Sequence, residues 1–119
     1  MDTAVPQQPT VPDTGGTVNT VPSPTVPPKL GKGDLLRIIA PAASRAMVAE
    51  HDHSELIERR FADLGLRLSY GRHVDERDIF DSTSVASRVA DLHDAFADPE
   101  VKGILTVIGG FNSNELLPY

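Results

Sequence analysis

Apolar and polar positions follow two different periods along residues 29–119, and their order predicts alternating strands and helices. A short apolar run at 35–40 predicts a first strand that ends before Pro41, because proline cannot continue a hydrogen-bonded ladder. Four apolar residues at helical spacing then predict a helix that ends at Gly65; they are Leu56, Ile57, Phe61 and Leu64. Alternation of apolar and polar residues at 66–70 predicts a second strand.

The remaining pattern repeats this order. A buried apolar stripe predicts a second helix that ends at Asp98; its members are Val85, Val89, Leu92 and Phe96. The continuous apolar run at 103–108 predicts a third strand covered on both faces, as buried parallel strands are. The order β-α-β-α-β predicts an α/β fold, a partial open parallel sheet with right-handed crossovers. Ligands of such folds bind at the carboxyl ends of the strands, so a site is expected among 40–44, 71–83 and 109–114.

Residues 1–28 differ in composition from the rest of the chain. They hold seven of the ten prolines, and the triplet Thr-Val-Pro occurs three times. Proline removes a backbone hydrogen-bond donor and fixes φ, which disfavours helix and sheet. The segment also has few apolar side chains whose burial could offset the loss of conformational entropy on folding. A disordered tail, partly in the polyproline II conformation, is therefore expected at 1–28, with a folded domain at 29–119. Binding to a proline-recognising module is the alternative to a plain linker.

Charge and composition exclude several classes of function. The net charge is −6 and the sequence pI is about 5.0, which argues against a nucleic-acid partner. The chain has no cysteine, so neither a disulfide framework nor a thiolate metal site is available. No apolar run approaches the roughly 18 residues of a membrane span. Residues 1–10 show no secretory signal pattern, so no membrane partner and a cytoplasmic location are expected.

No motif calls for a cofactor or a metal. His51-Asp52-His53 offers two metal ligands without a third at helical spacing, so a solvated turn is the preferred interpretation. Gly31-Lys32-Gly33 lacks the spacing of a phosphate-binding loop. The acidic segment 75–78 is interpreted first as solvated surface, although its place at a strand end leaves a role beside the substrate open.

The third predicted strand leads directly into the sequence GGFNSN at 109–114, and a helix is expected to begin at 115. A strand, a tight turn and a helix with serine at the apex form a nucleophile elbow, which exposes a hydroxyl group and backbone N–H groups. The alternative is a glycine turn whose Ser or Asn merely caps the helix. The usual pattern G-x-S-x-G is not matched, because Asn114 replaces its second glycine.

Residues 109–119, with the sequence GGFNSNELLPY, resemble the nucleophile motif of the LD-carboxypeptidase family of serine peptidases. That family includes muramoyltetrapeptide carboxypeptidases and microcin C self-immunity hydrolases, and the Asn-Ser-Asn variant looks closer to the self-immunity branch. Further segments resemble the family's opening strand and the helix before the motif strand; they are 29–34, 38–41, Arg88, Asp91, 95–96, 98–99 and 101–102. The resemblance covers 29–119 and implies the nucleophile-bearing N-terminal domain.

The resemblance implies a Ser-Glu-His triad with Ser113 as the nucleophile. The N–H of Asn114 is the first candidate donor to an oxyanion, Gly109 or Gly110 is a second, and Ser44 is a candidate pocket residue. The implied reaction is hydrolysis of an amide bond beside a free carboxylate. The substrate would be an LD-peptide of the cell wall or a peptidyl or aminoacyl nucleotide, and the full-length protein would be a homodimer.

The chain departs from the family in one large respect. The family's Glu and His lie in a C-terminal domain beyond the elbow, so this chain is expected to be truncated after the elbow and inactive alone. Among its histidines, His51, His53, His73 and His93, His73 is the best local candidate for a base because it follows a strand end. Enzymatic activity therefore stays open, and a non-catalytic α/β binding or interaction module is the alternative.

Overall fold

A three-stranded parallel sheet forms the centre of the fold in the computed structural model, which describes residues 21–48 and 53–119. The strands are β1 (Leu35–Ile39), β2 (Arg67–Tyr70) and β3 (Val101–Thr106), in the spatial order β2-β1-β3. Both neighbours pair with β1 in parallel register, which confirms the predicted α/β class and the parallel sheet.

The central strand β1 carries most of the buried apolar surface. Leu35, Leu36, Ile38 and Ile39 are all buried. By contrast, β3 was predicted to be covered on both faces, and that prediction is wrong for the described structure. β3 lies at an edge of the sheet, none of its residues is buried, and Leu105 is 41% exposed. An apolar run predicts a strand with buried side chains, but it does not predict where that strand lies in the sheet.

Three α-helices and one 3₁₀ helix connect or follow the strands in the described residues. They are α1 (Arg45–Val48), α2 (Ser54–Asp63), α3 (Val85–Ala97) and the 3₁₀ helix Ser113–Leu116. α2 ends at Asp63, and Gly65 follows it as predicted, with a φ of 76° in the left-handed conformation that glycine favours after a helix. α3 begins at a cap in which Ser84 accepts a hydrogen bond from the Ser87 N–H at 3.1 Å.

The buried face of α3 is polar as well as apolar, which corrects the predicted stripe. The buried residues are Arg88, Asp91 and Ala95, whereas Phe96 is 76% exposed. The apolar stripe of α2 is likewise not buried in the described structure, and Leu64 is 66% exposed. Helical spacing predicts which side chains share a face, but it does not identify the group that covers that face.

The two crossovers place the helices on both sides of the sheet. In the strand order β2-β1-β3, right-handed connections put α2 on one face and α3 on the other. A cavity of about 240 Å³ lies between α2 and the sheet, and its lining includes Ile57, Phe61, Tyr70 and Leu105. α3 packs against β1 and β3 and also contacts the 3₁₀ helix, so it supports the segment that follows β3.

The described part of the proline-rich segment, residues 21–28, is exposed and contains no helix or strand. Residues 1–20 lie outside the described residues, so the tail and the domain boundary at 28–29 stay predictions. Over 21–48 and 53–119, none of the helices has the length and apolar character needed to cross a membrane.

Candidate active site

Ser113 is the first residue of the 3₁₀ helix that follows β3 through a short turn. Its hydroxyl donates a hydrogen bond to the Gly110 carbonyl at 2.8 Å, and its side chain is partly exposed. The predicted succession of strand, turn and helix is therefore present. The helix begins at Ser113 itself rather than at 115, because the chain enters a tighter 3₁₀ turn there.

The turn before Ser113 contains two residues with positive φ. Gly110 has a φ of 106°, and no atom outside its two neighbouring residues lies within 4 Å of the position that a Cβ would take. Asn112 has a φ of 70° and a ψ of −4°, the left-handed conformation that Asn tolerates better than most residues. The left-handed residue thus stands directly before the candidate nucleophile and turns the chain from the strand into the helix.

Arg88 links this turn to two other segments of the fold. Its side chain is 3% exposed, and its guanidinium donates to the carbonyls of Thr83 at 2.9 Å, Pro41 at 3.1 Å and Asn112 at 2.9 Å. It also donates to the carboxylate of Glu115 at 2.5 Å. The sequence reasoning included Arg88 in a resemblance but missed this role. The available signal was the spacing of Arg88, Asp91 and Ala95, which places the three residues on one face of α3.

Backbone donors close to Ser113 are not engaged by other protein groups. Among the residues that the structure describes, none accepts a hydrogen bond from the N–H of Gly109, Gly110 or Asn114. The Glu115 N–H donates to the Asn112 carbonyl at 3.1 Å. N–H groups at the start of a helix lack partners within the helix, so they can stabilise an anion placed beside them.

None of the described histidines forms a hydrogen bond with Ser113. His73 follows β2, and its Nδ1 atom contacts the Glu76 carboxylate, while its backbone N–H donates to Asp91 at 3.0 Å. His93 is exposed on α3, and His53 stands immediately before α2. His51 and Asp52 lie outside the described residues. Within the described ranges, no cluster of three acidic or imidazole side chains is arranged to hold a metal ion.

Ser44 is buried at the end of the loop that follows β1, with 1% of its surface exposed. Its N–H donates to the Asp81 carbonyl at 2.7 Å, and its Oγ accepts from the Ala46 N–H at 3.1 Å. Its hydroxyl also lies 3.4 Å from the Val74 carbonyl, to which it donates. These bonds join the start of α1 to the loop at 71–83. The role of Ser44 in a pocket stays a prediction.

Ion pairs order the acidic loop that follows β2. Arg45 donates two hydrogen bonds to Asp75, and these hold the pKa of the Asp75 carboxyl below its usual value. Contacts from His73 and then Thr83 likewise hold the pKa of Glu76 low. These charged groups of the loop at the carboxyl end of the sheet are thus paired with one another and with α1.

Tyr70 joins the same cluster from the end of β2. The Arg45 guanidinium lies 4.4 Å from the centre of the Tyr70 ring, a cation–π contact. The Tyr70 hydroxyl donates to Glu58 on α2 at 2.9 Å. Burial raises the pKa of the Tyr70 hydroxyl, and the hydrogen bond to Glu58 acts in the same direction. These contacts tie α1, α2 and β2 together beside the apolar cavity.

Residues 36–119 match the model of the LD-carboxypeptidase N-terminal domain. Among curated proteins, YocD of Bacillus subtilis is 49% identical over 94 residues, which are 76% of this chain and 28% of YocD. The murein tetrapeptide carboxypeptidase of Pseudomonas aeruginosa is 33% identical over 81 residues, covering 68% of this chain and 25% of that protein. The chain therefore spans little more than a quarter of the length of these relatives.

Solved structures show the same fold over most of the chain. An MccF-like protein from Bacillus anthracis matches with a TM-score of 0.75 and 45% identity, over 81% of this chain and 29% of that chain. The microcin C7 self-immunity protein MccF, whose curated counterpart is from Escherichia coli, matches with a TM-score of 0.71 and 25% identity. That match covers 81% of this chain and 28% of MccF.

Proposed function

The chain belongs to the LD-carboxypeptidase family, and from that premise we propose that Ser113 is the nucleophile of a serine hydrolase. The observation that carries the proposal is the junction after β3, where Ser113 begins a helix behind a left-handed Asn112. The N–H that follows the serine, on Asn114, has no acceptor among the described residues. An MccF variant described as an active-site mutant has a serine, an asparagine and a lysine replaced by alanine, which supports a serine-centred site.

The proposed chemistry follows from these positions. A histidine removes the proton from Ser113 Oγ, and the oxygen attacks the acyl carbon while the acyl oxygen becomes an oxyanion. The N–H of Asn114, with Gly109 or Gly110 as a second donor, stabilises that oxyanion. The histidine then gives this proton to the leaving nitrogen as the carbon–nitrogen bond breaks, and a water molecule hydrolyses the resulting acyl–serine ester and restores the Ser113 hydroxyl. Before attack, Ser113 Oγ must exchange its hydrogen bond to the Gly110 carbonyl for one to the histidine.

Residues 1–119 are proposed to be inactive on their own. The family resemblance assigns the Glu and His of the triad to a C-terminal domain, and no position of this chain matches them. His73 is not proposed as that histidine, because among the described residues it forms no hydrogen bond with Ser113. The nucleophile-bearing domain at 29–119 thus needs a base supplied by a further part of a family fold.

The proposed substrates share an acyl–nitrogen bond beside a free carboxylate. One relative is named a murein tetrapeptide carboxypeptidase, which indicates an LD-peptide of the cell wall. MccF has been solved with glutamyl sulfamoyl guanosine and with aspartyl sulfamoyl adenosine, which indicates an aminoacyl nucleotide. The homodimer implied by the resemblance belongs to the same proposal.

A chimera tests the proposal, with this chain replacing the matching segment of YocD. We expect a fluorophosphonate probe to label the chimera but not residues 1–119 alone. The chimera should hydrolyse an LD-tetrapeptide or aspartyl sulfamoyl adenosine, and comparing the two identifies the substrate class. Ser113→Ala should lower the rate by a factor on the order of 10³ or more, whereas Ser23→Ala in the exposed tail should leave it unchanged.

A second function has one observation in its favour. The Ser113 hydroxyl is bonded to its own turn rather than to a base, as a serine that only stabilises the turn would be. A non-catalytic binding module is therefore the alternative. A folded chimera that is neither labelled nor active would support the binding module and reject the hydrolase.

A further inference from the structure

Arg88 lies where three chain segments meet beneath the candidate nucleophile. Its side chain is 3% exposed, so its charge is almost completely withdrawn from water. Pro41 follows β1, Thr83 precedes α3, and Asn112 follows β3, and all three offer their carbonyls to the guanidinium. Together with Glu115, these acceptors engage four of the five N–H groups of the guanidinium.

The counter-charge of Arg88 comes from the same short helix that carries Ser113. Among the described residues, Glu115 is the acidic side chain that pairs with Arg88, and 45% of its side chain is exposed. A buried charge that loses its partner is strongly unfavourable, so the pair holds the helix against α3. The Glu115 backbone contributes as well, because its N–H donates to the Asn112 carbonyl at 3.1 Å.

Asn112 is bonded both by the Arg88 side chain and by the Glu115 backbone. Its carbonyl accepts from Arg88 Nη1 at 2.9 Å and from the Glu115 N–H. The left-handed conformation is unfavourable for a residue with a Cβ and persists when the surrounding contacts determine it. A change of φ at Asn112 would turn its carbonyl away from Arg88 and redirect the chain at Ser113.

We propose that Arg88 and Glu115 are positioning residues that hold the Asn112 peptide in its left-handed conformation and thereby fix the direction of Ser113 Oγ. The proposal rests on the proposed function only in taking Ser113 as the nucleophile. The same contacts tie the turn to the carboxyl end of β1 through Pro41, so the serine is placed relative to the sheet edge where substrate binds in such folds.

NMR spectroscopy on the full chain of 119 residues tests the proposal without requiring activity. The intraresidue HN–Hα NOE of Asn112 is strong at positive φ and weak in the right-handed or extended regions. We expect it to be strong in the wild type and in Glu115→Gln, whose amide oxygen still accepts from Arg88. In Glu115→Ala it should weaken, and amide exchange at Ser113 and position 115 should accelerate about tenfold, as in local opening.

Two further variants separate positioning from a general contribution to folding. Asp94→Asn weakens the exposed Arg72–Asp94 pair, which α3 also carries, and should leave the Asn112 NOE unchanged. Arg88→Lys keeps the charge but cannot reach all the carbonyls at once, so it should weaken the NOE as Glu115→Ala does. In Glu115→Ala, amide exchange in β1 should accelerate much less than exchange at Ser113 and position 115.

Two results would overturn the proposal. An unchanged Asn112 NOE in both Glu115→Ala and Arg88→Lys would show that these side chains do not hold the turn. Equal acceleration of exchange in β1 and in the turn would show a global loss of stability instead. Failure of the proposed function is a separate result, because an unlabelled chimera with the expected NOE changes would reject the hydrolase and keep the positioning role.

Discussion

Gly71 packs against Asp91 so closely that a Cβ at Gly71 would lie 2.7 Å from the Asp91 Cγ. Asp91 is 4% exposed, and its Oδ2 accepts the His73 N–H at 3.0 Å. Its Oδ1 has no hydrogen-bond partner among the described residues. The carboxylate on α3 thus fixes the turn that follows β2, and the turn can approach it because residue 71 has no side chain.

Gly71→Ala is expected to lower the free energy of unfolding by about 1–3 kcal/mol, the usual cost of forcing extra volume into a packed region. Urea denaturation of the two proteins measures the difference. Gly31→Ala is the matched control, because the nearest atom to a Cβ there is 3.9 Å away. Equal stability of Gly71→Ala and the wild type would contradict the packing of Gly71 on Asp91.

Asp98 joins β1 to the turn between α3 and β3. It accepts from Arg37 at 2.8 Å and from the Glu100 N–H at 2.9 Å. Asp98→Ala should therefore cost about 1.5–3 kcal/mol, as expected for a charge-assisted hydrogen bond that is partly buried. Asp94→Ala removes an exposed ion pair and should cost less than about 1 kcal/mol. Urea denaturation that finds equal losses would contradict this ranking.

Stability should depend on pH through Asp75. The hydrogen bonds from Arg45 lower its folded-state pKa, so its contribution is present above the unfolded pKa of about 4. That contribution is lost as pH falls through the lowered folded-state pKa. Because the Asp75 side chain is 54% exposed, the contribution at neutral pH should be less than about 1 kcal/mol.

The comparison of wild type with Asp75→Asn measures this dependence. The difference in their free energies of unfolding, from urea denaturation, should be constant between about pH 7 and pH 5 and should vanish well below pH 4. A difference that grows as pH falls would mean that the folded-state pKa is raised, which would contradict the hydrogen bonds from Arg45.

Local patterns predicted the three strands and the two longer helices, because each depends on neighbouring residues; the four-residue α1 was not predicted, and β3 begins and ends two residues earlier than expected. The apolar run at 35–40 became β1, and Gly65 follows α2 at the left-handed position that the pattern required. The parallel arrangement followed from the alternation of strands and helices, since parallel strands need crossover connections. The turn at 109–114 was likewise predicted from its glycines and the serine beside them.

Tertiary placement could not be derived from the same patterns. The apolar run in β3 resembles a central strand, yet the order β2-β1-β3 places β1 at the centre. Arg88 stands one position from the predicted stripe and is buried because three carbonyls and Glu115 converge on it. Arg88 and Pro41 are 47 residues apart in the sequence, and a helical or strand period relates only residues close together in the chain.

The most direct test of the account is to map the site of phosphonylation in the YocD chimera by mass spectrometry. The probe adds its mass to the serine that a neighbouring base activates, so the modified peptide identifies the nucleophile. We predict modification at Ser113 and its loss in Ser113→Ala, with Ser23→Ala as the unchanged control. A modified peptide that does not contain Ser113, or modification that persists in Ser113→Ala, would contradict the assignment of Ser113 as the nucleophile.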